Sequence, residues 1–171
     1  NNVFEIANRM YSNIEEYRAQ GLQSHQQQLK VAVAITEAYL HNTLQEAHKK
    51  GIAETQALQQ AFSTIRDFNY GNKDYIWIAD YQGKLLSHPD PRFHGKDSAN
   101  LLDNNGNPIV PTIVKRAIAD GEGFYRYKWQ RLSENQPLDK VSYVKNYPQW
   151  GFVIGSGVYL DDLEKEFILR K

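Results

Sequence analysis

Two hydrophobic periods divide the chain. Val3, Ile6, Met10, Ile14 and Tyr17 recur at three- and four-residue steps. After the polar patch 23–28, Leu29, Val33, Thr36, Leu40, Leu44 and Ala47 resume the pattern. No proline interrupts residues 1–50, so one long helix is predicted there. Lys49, Lys50 and Gly51 form its stop: cations at the negative end of the dipole, then a residue tolerant of positive φ. Gly21 is the weak point, costing about 1 kcal/mol against alanine. Unbroken, such a helix is roughly 75 Å long, more than one small globule covers. Its first ~20 residues must project, pair with another chain, or fold back at Gly21.

A second helix is expected over 54–68, with Leu58, Ala61, Phe62, Ile65 and Phe68 on one face. The period then changes to two. In Asp74–Asp80, Tyr75 and Trp77 alternate with Ile76 and Ile78. Tyr81-Gln82-Gly83 turns that strand into a second at 84–88, which Pro89 and Pro91 end. A loop-rich stretch over 90–110 leads to a short helix from Pro111 to Ala119, closed by Gly121. Strands follow at 123–130, 139–146 and 151–159, and a final helix at 161–171. Five sequential strands with turn-length links predict an α+β fold. The long N-terminal helix packs on one face of a five-stranded, mostly antiparallel sheet.

Composition narrows the function. Acidic and basic residues balance at 20 each, with no basic stripe, which argues against nucleic acid. No stretch approaches the ~20 apolar residues that span a bilayer. The chain has no cysteine, so disulfides and thiolate metal sites are excluded. No nucleophile stands beside a base, which points to a binding domain rather than an enzyme, without cofactor or metal. His41 and His48 share a helix face, but nothing in the sequence completes a metal site. The segment 103–108 lacks the closing glutamate of a calcium loop and reads as a turn. The GEGF segment 121–124 follows a helix rather than preceding one, unlike a phosphate loop. Asn1 at the start and the charged end 161–171 suggest a fragment of a longer protein.

Seven ordered blocks carry a resemblance. They are Tyr75-Ile76-Trp77-Ile78, His88-Pro89, Gly95-Lys96-Asp97, Gly121-Glu122-Gly123-Phe124, Tyr127-Lys128-Trp129, Lys140–Lys145 and Pro148–Tyr159. Together they resemble the single Cache sensor domains of bacterial transmembrane receptors, a PAS-like extracytoplasmic fold. Ser98-Ala99 stands where that pattern usually has leucine. The resemblance implies a helical stalk over 1–27, a Cache domain over 28–165 and the start of a membrane-proximal helix over 166–171. It implies a periplasmic domain of an inner-membrane receptor, held by flanking membrane helices outside this sequence and paired as a homodimer through the N-terminal helix. The implied ligand is a small carboxylate such as acetate, propionate, pyruvate or lactate. The output is chemotaxis or, alternatively, a histidine kinase or diguanylate cyclase. A dimerisation stalk with a vestigial pocket is a further alternative.

Within these blocks the carboxylate donors expected are His88, Tyr127, Tyr143 and Lys140, with Arg92 from the loop. Tyr75 and Trp77 either wall the pocket or pack on the long helix. Lys140 and Tyr143 differ in strand parity, so both face one pocket only if a bulge or strand end intervenes. Trp129, Trp150 and Tyr159 read as core or sheet-edge packing.

Overall fold

The computed structural model describes residues 2–70, 74–130 and 134–169. Helix α1 runs Asn2–Lys49 without a break at Gly21, so the long helix does not fold back. At 1.5 Å per residue it is about 72 Å long. Its C-terminal half buries Leu29, Val33, Thr36, Leu40 and Ala47. Its N-terminal half leaves Val3, Ile6, Met10 and Tyr11 exposed. The side chains of Ile14 and Tyr17, expected in the same seam, lie outside the described residues.

Helix α2 (Glu54–Ile65) ends three residues before the expected limit, with Arg66 as its cap. Phe68 leaves the helix but still packs edge-on against Tyr39, with ring centroids 5.5 Å apart. Strand β1 (Asn69–Tyr70) was not anticipated; the turn residues after it obscured it. Then come β2 (Asp74–Asp80), β3 (Leu85–Ser87), α3 (Ile109–Asp120), β4 (Glu122–Gln130), β5 (Pro137–Tyr147), β6 (Phe152–Tyr159) and α4 (Leu160–Leu169). Helix α3 starts two residues earlier than expected, with Pro108 at the N-cap in an extended conformation (φ −67°, ψ 125°). Gly121 ends it at φ 82°.

All strand pairs are antiparallel, in the order β1-β2-β6-β5-β4, with β3 also on β2. The last strand in sequence is therefore central, and β6 is buried along its whole length. Strand parity builds two cores. Ile76, Ile78, Tyr143, Tyr147, Phe152, Ile154 and Val158 meet α1 and α2. Tyr75, Trp77, Tyr125, Trp129, Val144 and Val153 meet α3 and Phe93. The long helix thus covers one face, as expected, and α3 with the 88–108 loop covers the other.

Candidate functional site

The face under α3 gathers the polar groups. Strand β5 runs against β4 with Lys140 opposite Tyr127, and against β6 with Lys140 opposite Tyr159. The lysine is therefore flanked on both sides by phenols. Its side chain is only 1% exposed, and its Nζ donates to Tyr75 Oη at 2.9 Å. The ammonium position lies 4.2 Å from the centre of the Tyr75 ring, 5.3 Å from that of Tyr159 and 5.8 Å from that of Tyr127. Three aromatic faces favour a cation there. Burial opposes it more strongly and pushes the amine down to about 7, with the charge of Asp74 acting the other way. Burial holds the Tyr75 phenol well above its usual range, helped by Tyr159 and Tyr127.

Room for this side chain comes from β6. A Cβ on Gly157 would lie 2.7 Å from Lys140 Cε and would collide with Ser142 Oγ. A Cβ on Gly155 would lie 2.9 Å from Trp77 Nε1 and closer still to its ring carbons. The spacing Gly155-x-Gly157 therefore lets Trp77 and Lys140 lie flat across the central strand. Ser142, between them, accepts from Trp77 Nε1 at 3.4 Å and shares a 2.8 Å hydrogen bond with Tyr127 Oη.

His88 closes one side. Its Nδ1 accepts the Asp90 backbone N–H at 3.0 Å, so the neutral ring carries its proton on Nε2. Burial, then the nearby Lys140, hold the imidazole well below its ordinary pKa. Tyr75, Phe93 and Trp129 surround it, with centroids 4.9, 5.3 and 6.1 Å away. Trp129 adds a donor that sequence reasoning assigned to packing. Its indole Nε1 is buried and, among the described residues, is the one such side-chain atom without a hydrogen-bond partner. An orphaned buried donor costs about 1–3 kcal/mol, so a ligand acceptor would relieve it. Its position two residues after Tyr127 on the same strand face was the available signal.

These groups enclose a cavity of about 10 Å³. Its polar lining is Trp77, His88, Tyr127, Trp129 and Lys140, and its apolar lining is Leu85 with Val110 and Ile113 of α3. The volume matches about one water. The site thus combines one ionisable amine, several neutral donors and an apolar roof.

The expected site residues divide. Tyr75, Trp77, His88, Tyr127 and Lys140 converge. Trp77, His88, Tyr127 and Lys140 line the cavity directly, while Tyr75 holds the lysine. Tyr75 and Trp77 face α3, so neither packs on the long helix.

Tyr143 does not join them. The β5 register runs without a bulge, so Tyr143 points to the α1 face, opposite Phe124, and donates to Glu122 Oε2. Arg92 does not line the cavity either. Its fork is engaged by the neighbouring Asp90, with Nη2 2.7 Å from Oδ2, and its Nη1 donates to Gln130 and Asn135. Burial raises the Asp90 carboxyl, but Arg92 more than offsets this and holds it below its usual value. Arg92 therefore staples the loop to β4 outside the cavity. The 103–108 segment is a turn: Asp103 Oδ1 accepts from the backbone N–H of Asn105 and Asn107.

A twisted antiparallel sheet, with a long helix on one face and a small donor-lined cavity on the other, defines a PAS-like ligand-binding sensor domain. Residues 22–170 match Single Cache domain 2, and the chain belongs to that family. The chain is 36% identical over 116 residues to sensor histidine kinase MctS of Rhizobium johnstonii, covering 67% of this chain and 25% of that protein. It is 33% identical over 117 residues to methyl-accepting chemotaxis protein McpP of Pseudomonas putida, covering 68% and 22%. It therefore spans about a quarter of the length of these curated relatives. Among solved structures it is similar to a Cache chemosensory domain described for carboxylic acid recognition. The TM-score is 0.73 at 26% identity, covering 81% of this chain and 95% of that one. Among the described residues no helix is long and apolar enough to cross a membrane.

Proposed function

We propose that this domain is the extracytoplasmic sensor of a bacterial inner-membrane receptor and binds a small monocarboxylate, of the size of acetate, propionate, pyruvate or lactate. One observation carries the reading: a buried amine, Lys140, lines a small cavity with several neutral donors and, among the described residues, no carboxylate. A short acid would supply an anion to Lys140 from within the cavity and an acceptor to Trp129, while its tail would meet Leu85, Val110 and Ile113. Likeness to a domain described for carboxylic acid recognition supports the same ligand class. Even acetate exceeds the volume of one water, so its entry requires the wall to move, and binding and shape change come together.

The movement has a short route outward. Tyr159 ends β6 beside Lys140, and α4 begins at Leu160 with no linker between. Pocket occupancy would shift α4 and, through it, a membrane helix and a chemotaxis or kinase output. The exposed seam of Val3, Ile6 and Met10 suits a parallel homodimer through α1, as a two-fold receptor needs. Spin labels at Asp161 in the two subunits would report the shift.

A thermal-shift and calorimetric series of two- to four-carbon acids tests the ligand. Saturable binding of at least one acid, weakened by Tyr127→Phe, is the expected result. No binding across the series would favour the alternative reading of a dimerisation stalk with a vestigial pocket, which the small size of the cavity supports.

A further inference from the structure

Beside the small inner cavity lies a much larger groove, about 820 Å³, along α3 and β4. Among the described residues, only Ile113, Tyr127 and Trp129 line both spaces. We propose that Ile113 is the partition between them, and that this one side chain limits the length of acid the sensor accepts. The inference rests on the carboxylate reading above.

The three shared residues are not equivalent. Tyr127 is fixed by its bond to Ser142, and Trp129 presents an indole N–H. Both belong to the polar end of the site. Ile113 is wholly apolar, 4% exposed, and sits on α3 between Val110, which faces only the inner cavity, and Arg116, which faces only the groove. It stands on the roof, where the tail of a carboxylate anchored at Lys140 must point. Beyond it the groove offers apolar surface from Phe93, Leu101 and Ile109. A fourth or fifth carbon would therefore find a favourable surface if Ile113 did not block the way. Tyr75 and Trp77, expected from sequence to set the size limit, lie on the sheet side, away from that opening.

Truncation should convert the selectivity. Each methylene that reaches the groove gains about fourfold in affinity. Two carbons give about fifteenfold. Calorimetry of unbranched acids from acetate to hexanoate on the wild-type chain and on Ile113→Ala reads this directly. The expected wild-type affinity falls beyond the shortest members, and the hexanoate-to-propionate ratio rises at least about tenfold in Ile113→Ala. Ile113→Leu keeps the volume and should keep the wild-type ranking. Val110→Ala enlarges only the inner cavity and should leave hexanoate excluded.

An unchanged ratio in a folded Ile113→Ala, or wild-type binding of hexanoate as tight as of propionate, overturns the partition while leaving the carboxylate reading intact. Failure of the wild type to bind any acid overturns the carboxylate reading instead. Should Ile113→Ala melt before the assay temperature, Ile113→Val reads the same ratio with a rise of about fourfold, and no rise there refutes the proposal.

Discussion

Raising the pH from 6 to 8 should weaken carboxylate binding about tenfold, through Lys140. Burial brings its amine to about 7. Tyr75 and Tyr127 are raised and remain phenols, and His88 is lowered well below its ordinary value and remains neutral. Asp74 is the acidic group whose charge acts on the amine. The charged fraction of Lys140 falls from about nine-tenths at pH 6 to half at pH 7 and about one-tenth at pH 8. If the anion binds the ammonium form, its apparent affinity scales with that fraction. Binding at pH 7 should take up about half a proton, because the bound anion raises the lysine again.

Stability follows with a definite sign. The unfolded lysine titrates near 10.4 and the folded one near 7, so the unfolded chain binds more protons between these values. The ligand-free domain should gain about 2 kcal/mol from this group as pH rises from 7 to 9, and saturating ligand should flatten the slope. Calorimetry at pH 6, 7 and 8, in buffers of different ionisation enthalpy, measures both the affinity and the proton. Equal affinities at pH 6 and 8, with no buffer-dependent heat, would refute the assignment of Lys140 as the anion's partner.

Trp129→Phe should weaken acid binding about tenfold while costing little ligand-free stability, because the indole N–H has no protein partner to lose; unchanged affinity in calorimetry would exclude the indole as a donor. Tyr127→Phe should lower affinity several-fold, whereas Tyr143→Phe should leave it unchanged, since Tyr143 lies under α1; equal losses in both would place the ligand elsewhere. Gly155→Ala should destabilise by about 1–3 kcal/mol, because the new methyl meets the Trp77 indole, and a wild-type melting curve would contradict that packing.

Local chemistry made much of the fold readable before any coordinates. The uninterrupted period of α1, the alternation of Tyr75 and Trp77 with Ile76 and Ile78, and the positive-φ glycine after α3 each depend on neighbours within a few residues. The ordered blocks located the strands that carry Tyr75, Trp77, Tyr127 and Lys140, and the strand end just before His88. Parity sets Lys140 and Tyr143 on opposite faces although both fall in one block.

Partners distant in the chain decided the rest. The β4–β5 register sets Lys140 beside Tyr127 and Tyr143 beside Phe124, and pairing register is a property of two strands together. Asp90 claims the Arg92 fork, so a loop arginine that could have turned inward became a staple. No alternation marks a functional face on β6, because both of its faces are covered, and its glycines acquire their meaning only from Trp77 and Lys140 lying across them. The unpaired indole of Trp129 is likewise invisible in sequence, since whether a buried donor finds an acceptor depends on every element that surrounds it.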